Sequence, residues 1–76
     1  MKSLRTARHR ALCAALRDAR RAAGLTQRGL AQRLKRPRSF VGKTEAGERR
    51  LDVVEFIWYA NALRIDPLRL LAAVLG

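Results

Sequence analysis

The stretch from Gly24 to Gly47 constrains the fold more than any other part of the chain. Its punctuation leaves room for two short helices, a tight turn and little else. Gly24 can stop a preceding helix, because only glycine enters the left-handed conformation without penalty. Thr26 is a good N-cap for the next helix. Leu25, Leu30, Ala31 and Leu34 then line one apolar side at helical spacing. Pro37 fits the first turn of a third helix, where its missing N–H costs nothing. Val41 and Thr44 are the inward residues of that helix, which leaves Arg38, Ser39, Gly42 and Lys43 on its other side. From Ala19 to Thr44 there are eight Lys/Arg residues and no carboxylate. Two short helices with a cationic, small-residue outer face suit the major groove of DNA.

The flanking segments read as further helices. Helix 1 is expected to begin between Ser3 and Arg8 and to end at Ala23, with Leu12, Ala15, Leu16, Ala19 and Ala23 on one face. Residues 1–10 carry a basic N-terminal extension, either a solvated helix start or an arm that touches a phosphate backbone. After the loop Glu48-Arg49-Arg50, Asp52 and Glu55 have the spacing of a capping box. Helix 4 is expected from Val53 to Leu63, with Val53, Phe56, Ile57, Ala60 and Leu63 facing the core. Asp66-Pro67 opens helix 5 with an N-cap and a proline at the first position. That helix carries Leu70, Leu71, Val74 and Leu75. With no internal repeat and no strand alternation, the fold class is all-α, five helices in one domain over residues 1–76.

Charge narrows the partner. The net charge is +11 and the pI about 11.8, which point to a polyanion. A hydrophobic content of 49% excludes a disordered tail. The charge is uneven: seven of the 17 Lys/Arg lie in residues 1–21 and eight in residues 28–50, leaving only Arg64 and Arg69 beyond. Cys13 is the only cysteine, so no internal disulfide can form. No signal-peptide run and no stretch of 18 apolar residues is present, so the expected location is the cytoplasm, at the bacterial nucleoid. A basic amphipathic surface helix over residues 2–21 is the membrane alternative.

Catalytic chemistry is absent from the pattern. One His, one Cys and six carboxylates, most of them at helix ends, make no constellation. No glycine-rich phosphate loop or metal-ligand cluster is present, and His9 stands between Arg8 and Arg10 without partner ligands. Neither an enzyme nor a metal, cofactor or small-molecule ligand is expected.

Leu25-Thr26-Gln27-x-x-Leu30-Ala31, a short turn, and then Arg38-Ser39-Phe40-Val41-x-Lys43-x-Glu45-x-Gly47-Glu48-Arg49 resemble the Cro/repressor-type helix-turn-helix family, also called XRE. The resemblance covers about residues 12–74 and implies a five-helix, lambda-repressor-like domain. It implies a DNA-binding transcriptional regulator, with a repressor of a bacterium or mobile element as the leading reading. Arg38, Ser39 and Lys43 fall where the family reads base edges. Thr26, Gln27, Arg28, Lys35, Arg36, Phe40, Arg49 and Arg50 fall along the DNA backbone. Phe40 either touches a thymine methyl or shields the helix. Arg20 and Glu45 match a partly buried ion pair between helix 1 and the end of helix 3. Lys35 and Arg64 stand where the family usually has glycine, so those turns either avoid the left-handed conformation or carry strain. Gly42 either lets the backbone approach the groove or is merely tolerated. Two alternatives remain: a protein-interaction module or antitoxin on the same fold, and a non-specific basic nucleic-acid binder.

A homodimer is expected from the C-terminal half. On a helical wheel Val54 and Trp58 point away from the core face of helix 4, and an outward tryptophan is favoured at interfaces. Helix 5 adds an apolar stripe through Leu68, Leu71 and Leu75. The alternative is that Trp58 folds back over Arg64 or Ile65 as extra core. A two-fold dimer requires a roughly palindromic double-stranded operator with half-sites one DNA turn apart.

Overall fold

The computed structural model describes residues 6–76 and contains five helices and, among those residues, no strand. They are α1 (Ala7–Ala22), α2 (Gln27–Leu34), α3 (Arg38–Glu45), α4 (Val53–Leu63) and α5 (Pro67–Leu75). Each start has a local cause. Thr6, Thr26, Asp52 and Asp66 accept backbone N–H groups of the first turns of α1, α2, α4 and α5, which satisfies donors that have no partner inside a helix. At α4 the box is reciprocal: the Glu55 N–H donates to Asp52 at 2.8 Å, and the Asp52 N–H donates to Glu55 at 3.0 Å. Pro37 lies one residue outside α3 as its cap, in extended conformation. Thr6 caps α1, so residues 7–10 of the expected basic extension form a solvated helix start. Residues 1–5 of that extension lie outside the described residues.

Four helix ends share one geometry. After α1, the N–H of Leu25 donates to the carbonyl of Arg20 and that of Gly24 to Arg21. The same pair of bonds, six-to-one and five-to-two, closes α2 through Lys35 and Arg36, α3 through Gly47 and Glu48, and α4 through Arg64 and Ile65. Such a turn needs a left-handed residue at its corner. Gly24 and Gly47 provide it at φ +74° and +78°. Lys35 and Arg64 provide it at φ 57° and 58°, so both turns keep the left-handed conformation and carry its strain, about 1 kcal/mol each. A cation at a helix C-terminus interacts favourably with the helix dipole, which partly offsets this.

The core joins all five helices through Leu16, Leu30, Ala31, Val41, Tyr59, Ala60, Leu63 and Leu70. α1 packs on α3 and α5, α2 on α3 and α4, and α4 on α5. The inward face of α4 differs from the expected one. Tyr59, Ala60 and Leu63 are buried and Phe56 is half-buried, while Val53 and Ile57 are 74% and 41% exposed. The helix reads VVEFIWYANAL and is apolar almost all round, so periodicity cannot choose its buried side; contact with α2 and α5 chooses it. In α1 the buried face runs through Cys13, Leu16 and Arg20, and Ala23 is exposed. In α5, Leu70 and Val74 are buried whereas Leu71 and Leu75 are exposed. Among the described residues no helix is long and apolar enough to cross a membrane.

The strained turn after α4 is directly testable. Arg64→Gly relieves the left-handed penalty at the expense of a looser unfolded chain, and is expected to stabilise the protein by about 0.5–1 kcal/mol. A urea melt measures it; an unchanged or lower midpoint would contradict the strain at this corner.

Candidate nucleic-acid interface

The α2–turn–α3 unit is held by one charged junction. Arg20, on α1, donates from Nε to Glu45 Oε2 at 2.6 Å and from Nη2 to Oε1 at 3.1 Å. Its Nη1 donates to the carbonyl of Leu25 at 2.8 Å. Gln27, the first residue of α2, adds a hydrogen bond from Nε2 to Glu45 Oε1 at 3.1 Å. Four segments thus meet on one carboxylate and one guanidinium: α1, the loop before α2, the start of α2 and the end of α3. The side chains of Arg20 and Glu45 are 10% and 4% exposed. The bonds it donates to Glu45 push the Arg20 guanidinium above its ordinary value, against the opposing effect of burial.

A second set of polar contacts seats α3 on its inner side. The Thr44 hydroxyl donates to the Phe40 carbonyl at 2.7 Å, within the helix. The Cys13 thiol donates to the Thr44 carbonyl at 3.2 Å. That carbonyl belongs to the last turn of α3, where intrahelical donors run out. Burial pushes the Cys13 thiol up, against a smaller pull from Arg17, so it stays protonated and able to donate.

With Val41, Thr44 and Glu45 buried, Arg38, Ser39 and Lys43 are left exposed on the other side of α3. Thr26, Gln27 and Arg28 line one open cleft together with Arg20 and Arg38. The N-terminus of α2 opens there, with Thr26 capping the N–H of Gly29 at 2.9 Å. Lys35 and Arg36 lie in the turn between α2 and α3 and share a separate cleft with Arg33, Trp58, Asn61 and Ala62. Arg50 is exposed beside the first turns of α1, in a cleft with Arg8 and His9.

Several of these side chains also have partners within the protein. Gln27 is bonded to Glu45. Arg49 pairs with Glu55 at 3.2 and 3.3 Å, and its guanidinium lies 4.4 Å from the Phe40 ring centre. Phe40 is half-buried and tilts against Tyr59 at 6.2 Å between ring centres. Arg36 sits over both Phe40, at 5.4 Å, and Trp58, at 5.1 Å. Trp58 is 43% exposed and has Arg36 over its ring.

Three supporting residues escaped the reading of the sequence. Arg33 donates to the Ala62 carbonyl at 2.8 Å and so fastens α2 to the end of α4. Tyr59 fills the middle of the core, and its buried hydroxyl has no hydrogen bond of good geometry among the described residues. Burial pushes that hydroxyl well above the usual range of a phenol. Cys13, a lone thiol in the sequence, holds the Thr44 carbonyl of α3. No local pattern signals an arginine that caps a distant helix or a tyrosine among interchangeable apolar neighbours.

The charged junction sets an energetic expectation. Arg20→Ala or Glu45→Ala strands a buried partner and should destabilise the protein by about 3 kcal/mol. The double variant should lose clearly less than the sum. Strict additivity in urea melts would show that the two side chains act independently.

Comparison with known proteins agrees with this geometry. A family model described as a helix-turn-helix domain matches residues 3–73. The structure is similar to that of an XRE-family like protein from Pseudomonas syringae pv. tomato str. DC3000, with a TM-score of 0.87 and 50% identity, over 97% of this chain and 90% of that one. It is similar to the restriction-modification controller protein C.AhdI from Aeromonas hydrophila, with a TM-score of 0.79 and 37% identity, over 86% of this chain and 98% of that one. The clp gene regulator ClgR from C. glutamicum superimposes with a TM-score of 0.85 at 25% identity, over 93% and 92% of the two chains. No curated protein matches significantly. On the family match, the shared five-helix architecture and the identity to an XRE-family like protein, the chain belongs to the Cro/repressor-type (XRE) helix-turn-helix family, a family of DNA-binding transcription regulators and not of enzymes.

Proposed function

We propose that this chain is a sequence-specific repressor that acts in the cytoplasm, reading the major groove with α3 and binding as a homodimer to a roughly palindromic operator. One observation carries the reading. α3 is anchored by a buried ion pair at Glu45 and turns Arg38, Ser39 and Lys43 outward on a surface with no carboxylate from Ala19 to Thr44. Arg and Lys favour guanine, whose O6 and N7 both accept hydrogen bonds. The similarity to a restriction-modification controller and to a clp gene regulator supports a role in transcription.

Backbone contacts are a separate task. Thr26, Gln27 and Arg28 surround the N-terminus of α2, whose free N–H groups and positive dipole end suit a phosphate. Lys35 and Arg36 serve one side of α3, and Arg49 and Arg50 the other. Phe40 contributes beneath Arg36 and Arg49, by holding both guanidinium groups over its ring. These contacts fix the position of the domain and carry little sequence information.

The dimer surface is drawn from α4 and α5. Val54, Trp58, Leu68, Leu71 and Leu75 are exposed by 55%, 43%, 74%, 41% and 60%. Val53 and Ile57, expected inside, add to the same apolar exposure. Only Arg64 and Arg69 carry positive charge in this part of the chain, although Arg36 of the α2–α3 turn lies over Trp58 at the edge of this surface. A second copy related by a two-fold axis would set two recognition helices about 34 Å apart.

Binding measurements test the division of labour. Arg38→Ala should cost about 1–3 kcal/mol on the target site and relax preference at one base pair. Arg50→Ala should weaken binding to all sequences alike and lower the salt slope by about one unit. Equal losses by both variants on specific and random duplexes would refute the assignment. Light scattering at micromolar concentration tests the dimer, with Trp58→Lys expected to yield monomers. A wild-type monomer that binds one half-site as tightly as a full operator would overturn it.

A further inference from the structure

Gly42 is the glycine that the fold does not need. Gly24, Gly47 and Gly76 take positive φ, which other residues adopt only with strain. Gly29 lies close under the Thr26 cap, where an added Cβ would stand 3.3 Å from Oγ1. Gly42 has neither reason. It is the fifth residue of the eight in α3 and has ordinary helical backbone. A Cβ built there meets only Gln27 Oε1, at the ordinary contact distance of 3.5 Å. The protein interior would therefore accept alanine, and glycine in a helix interior weakens the helix relative to alanine.

The position of the notch suggests what fills it. Seen down the helix, Gly42 points between Arg38 and Ser39, one turn further along, and is followed directly by Lys43. It is thus ringed by the residues assigned to base reading. Its carbonyl is directed along the helix axis, where it accepts from the Ala46 N–H at 3.0 Å, and not sideways into the notch. The floor of the notch is the Gly42 Cα, an apolar C–H surface, with Gln27 Oε1 the one polar atom within 4 Å of where a Cβ would stand. Of the groups on base edges in the major groove, the one that matches is the 5-methyl of thymine.

We infer that Gly42 is a specificity-determining position that seats a thymine methyl of the operator directly against the backbone of α3. The inference rests on the reading of α3 as the base-reading helix. Binding is dictated here by the absence of a side chain, so the stable residue and the functional residue differ.

The test compares wild type with Gly42→Ala on a duplex selected by the wild-type protein from a random-sequence pool, and on copies in which each thymine is replaced in turn by deoxyuridine. Gly42→Ala should melt about 4–8 °C higher, as restored helix propensity in a chain of this size implies. It should bind the selected duplex about 5- to 150-fold more weakly, the range of one lost base-pair match. At one thymine per half-site the preference should reverse. Wild type should lose about fourfold on removal of the methyl, whereas Gly42→Ala should gain, because its own methyl then has room. The proposal is overturned if Gly42→Ala binds the selected duplex as tightly as wild type, if it melts lower, or if no thymine shows the reversal. Failure of the underlying reading looks different: wild type would then select no sequence over scrambled DNA at all.

Discussion

The buried pair between Arg20 and Glu45 is the interaction on which the rest of the structure depends. An isolated charge in that position would be costly, so each side chain requires the other. Around the pair, the Leu25 carbonyl takes the third arginine donor and Gln27 approaches the second carboxylate oxygen. A junction with all these partners has one good geometry. It therefore fixes the angle of α3 to α1 and to the start of α2 more sharply than apolar contact alone could. Removing side chains from such a network leaves donors and acceptors stranded, which is why the orientation of the outward face is coupled to overall stability.

Charge is divided between structure and surface in a consistent way. Of the six carboxylates, Glu45 is in the ion pair, Asp52 and Asp66 cap helices, and Glu55 both completes a capping box and holds Arg49. Among the described residues only Asp18 and Glu48 are outside such roles, and both are exposed. The positive charges are far more numerous, so the field around the α2–α3 unit stays positive after the internal pairs are formed. A field of that sign raises the local concentration of a polyanion and speeds its encounter. Some cations serve twice. Arg36 rests on Phe40 and Trp58 and stays exposed, whereas Arg49 rests on Phe40 and is paired with Glu55. Stacking of this kind restricts long side chains without neutralising them.

Three of the five helices cannot rely on length for stability, since helices of eight or nine residues are marginal alone. The chain compensates at the ends. Side-chain caps start four of the helices, and one shared turn closes four of them. Two of those turns tolerate Lys35 and Arg64 in a conformation better suited to glycine. In return they gain a cation at a helix C-terminus, and at Lys35 a cation beside the recognition helix.

The family, the five helices and the outward set Arg38, Ser39 and Lys43 were legible in the sequence. So were the partners Arg20 and Glu45, through a resemblance whose motif is ordered and whose spacing is strict. Caps and glycine stops are local: a threonine or aspartate satisfies N–H groups two or three residues away, so its meaning survives without the rest of the fold. What only the tertiary structure decided involves choices between chemically similar neighbours. Val53, Ile57 and Tyr59 are all apolar enough for a core, and the fit against α2 and α5 places the tyrosine inside and the other two outside. Arg33 at the Ala62 carbonyl, Cys13 at the Thr44 carbonyl and Arg36 on Trp58 join residues 22 to 31 positions apart. No periodicity encodes such pairs, because they exist only once packing has brought separate helices to within a side chain's reach.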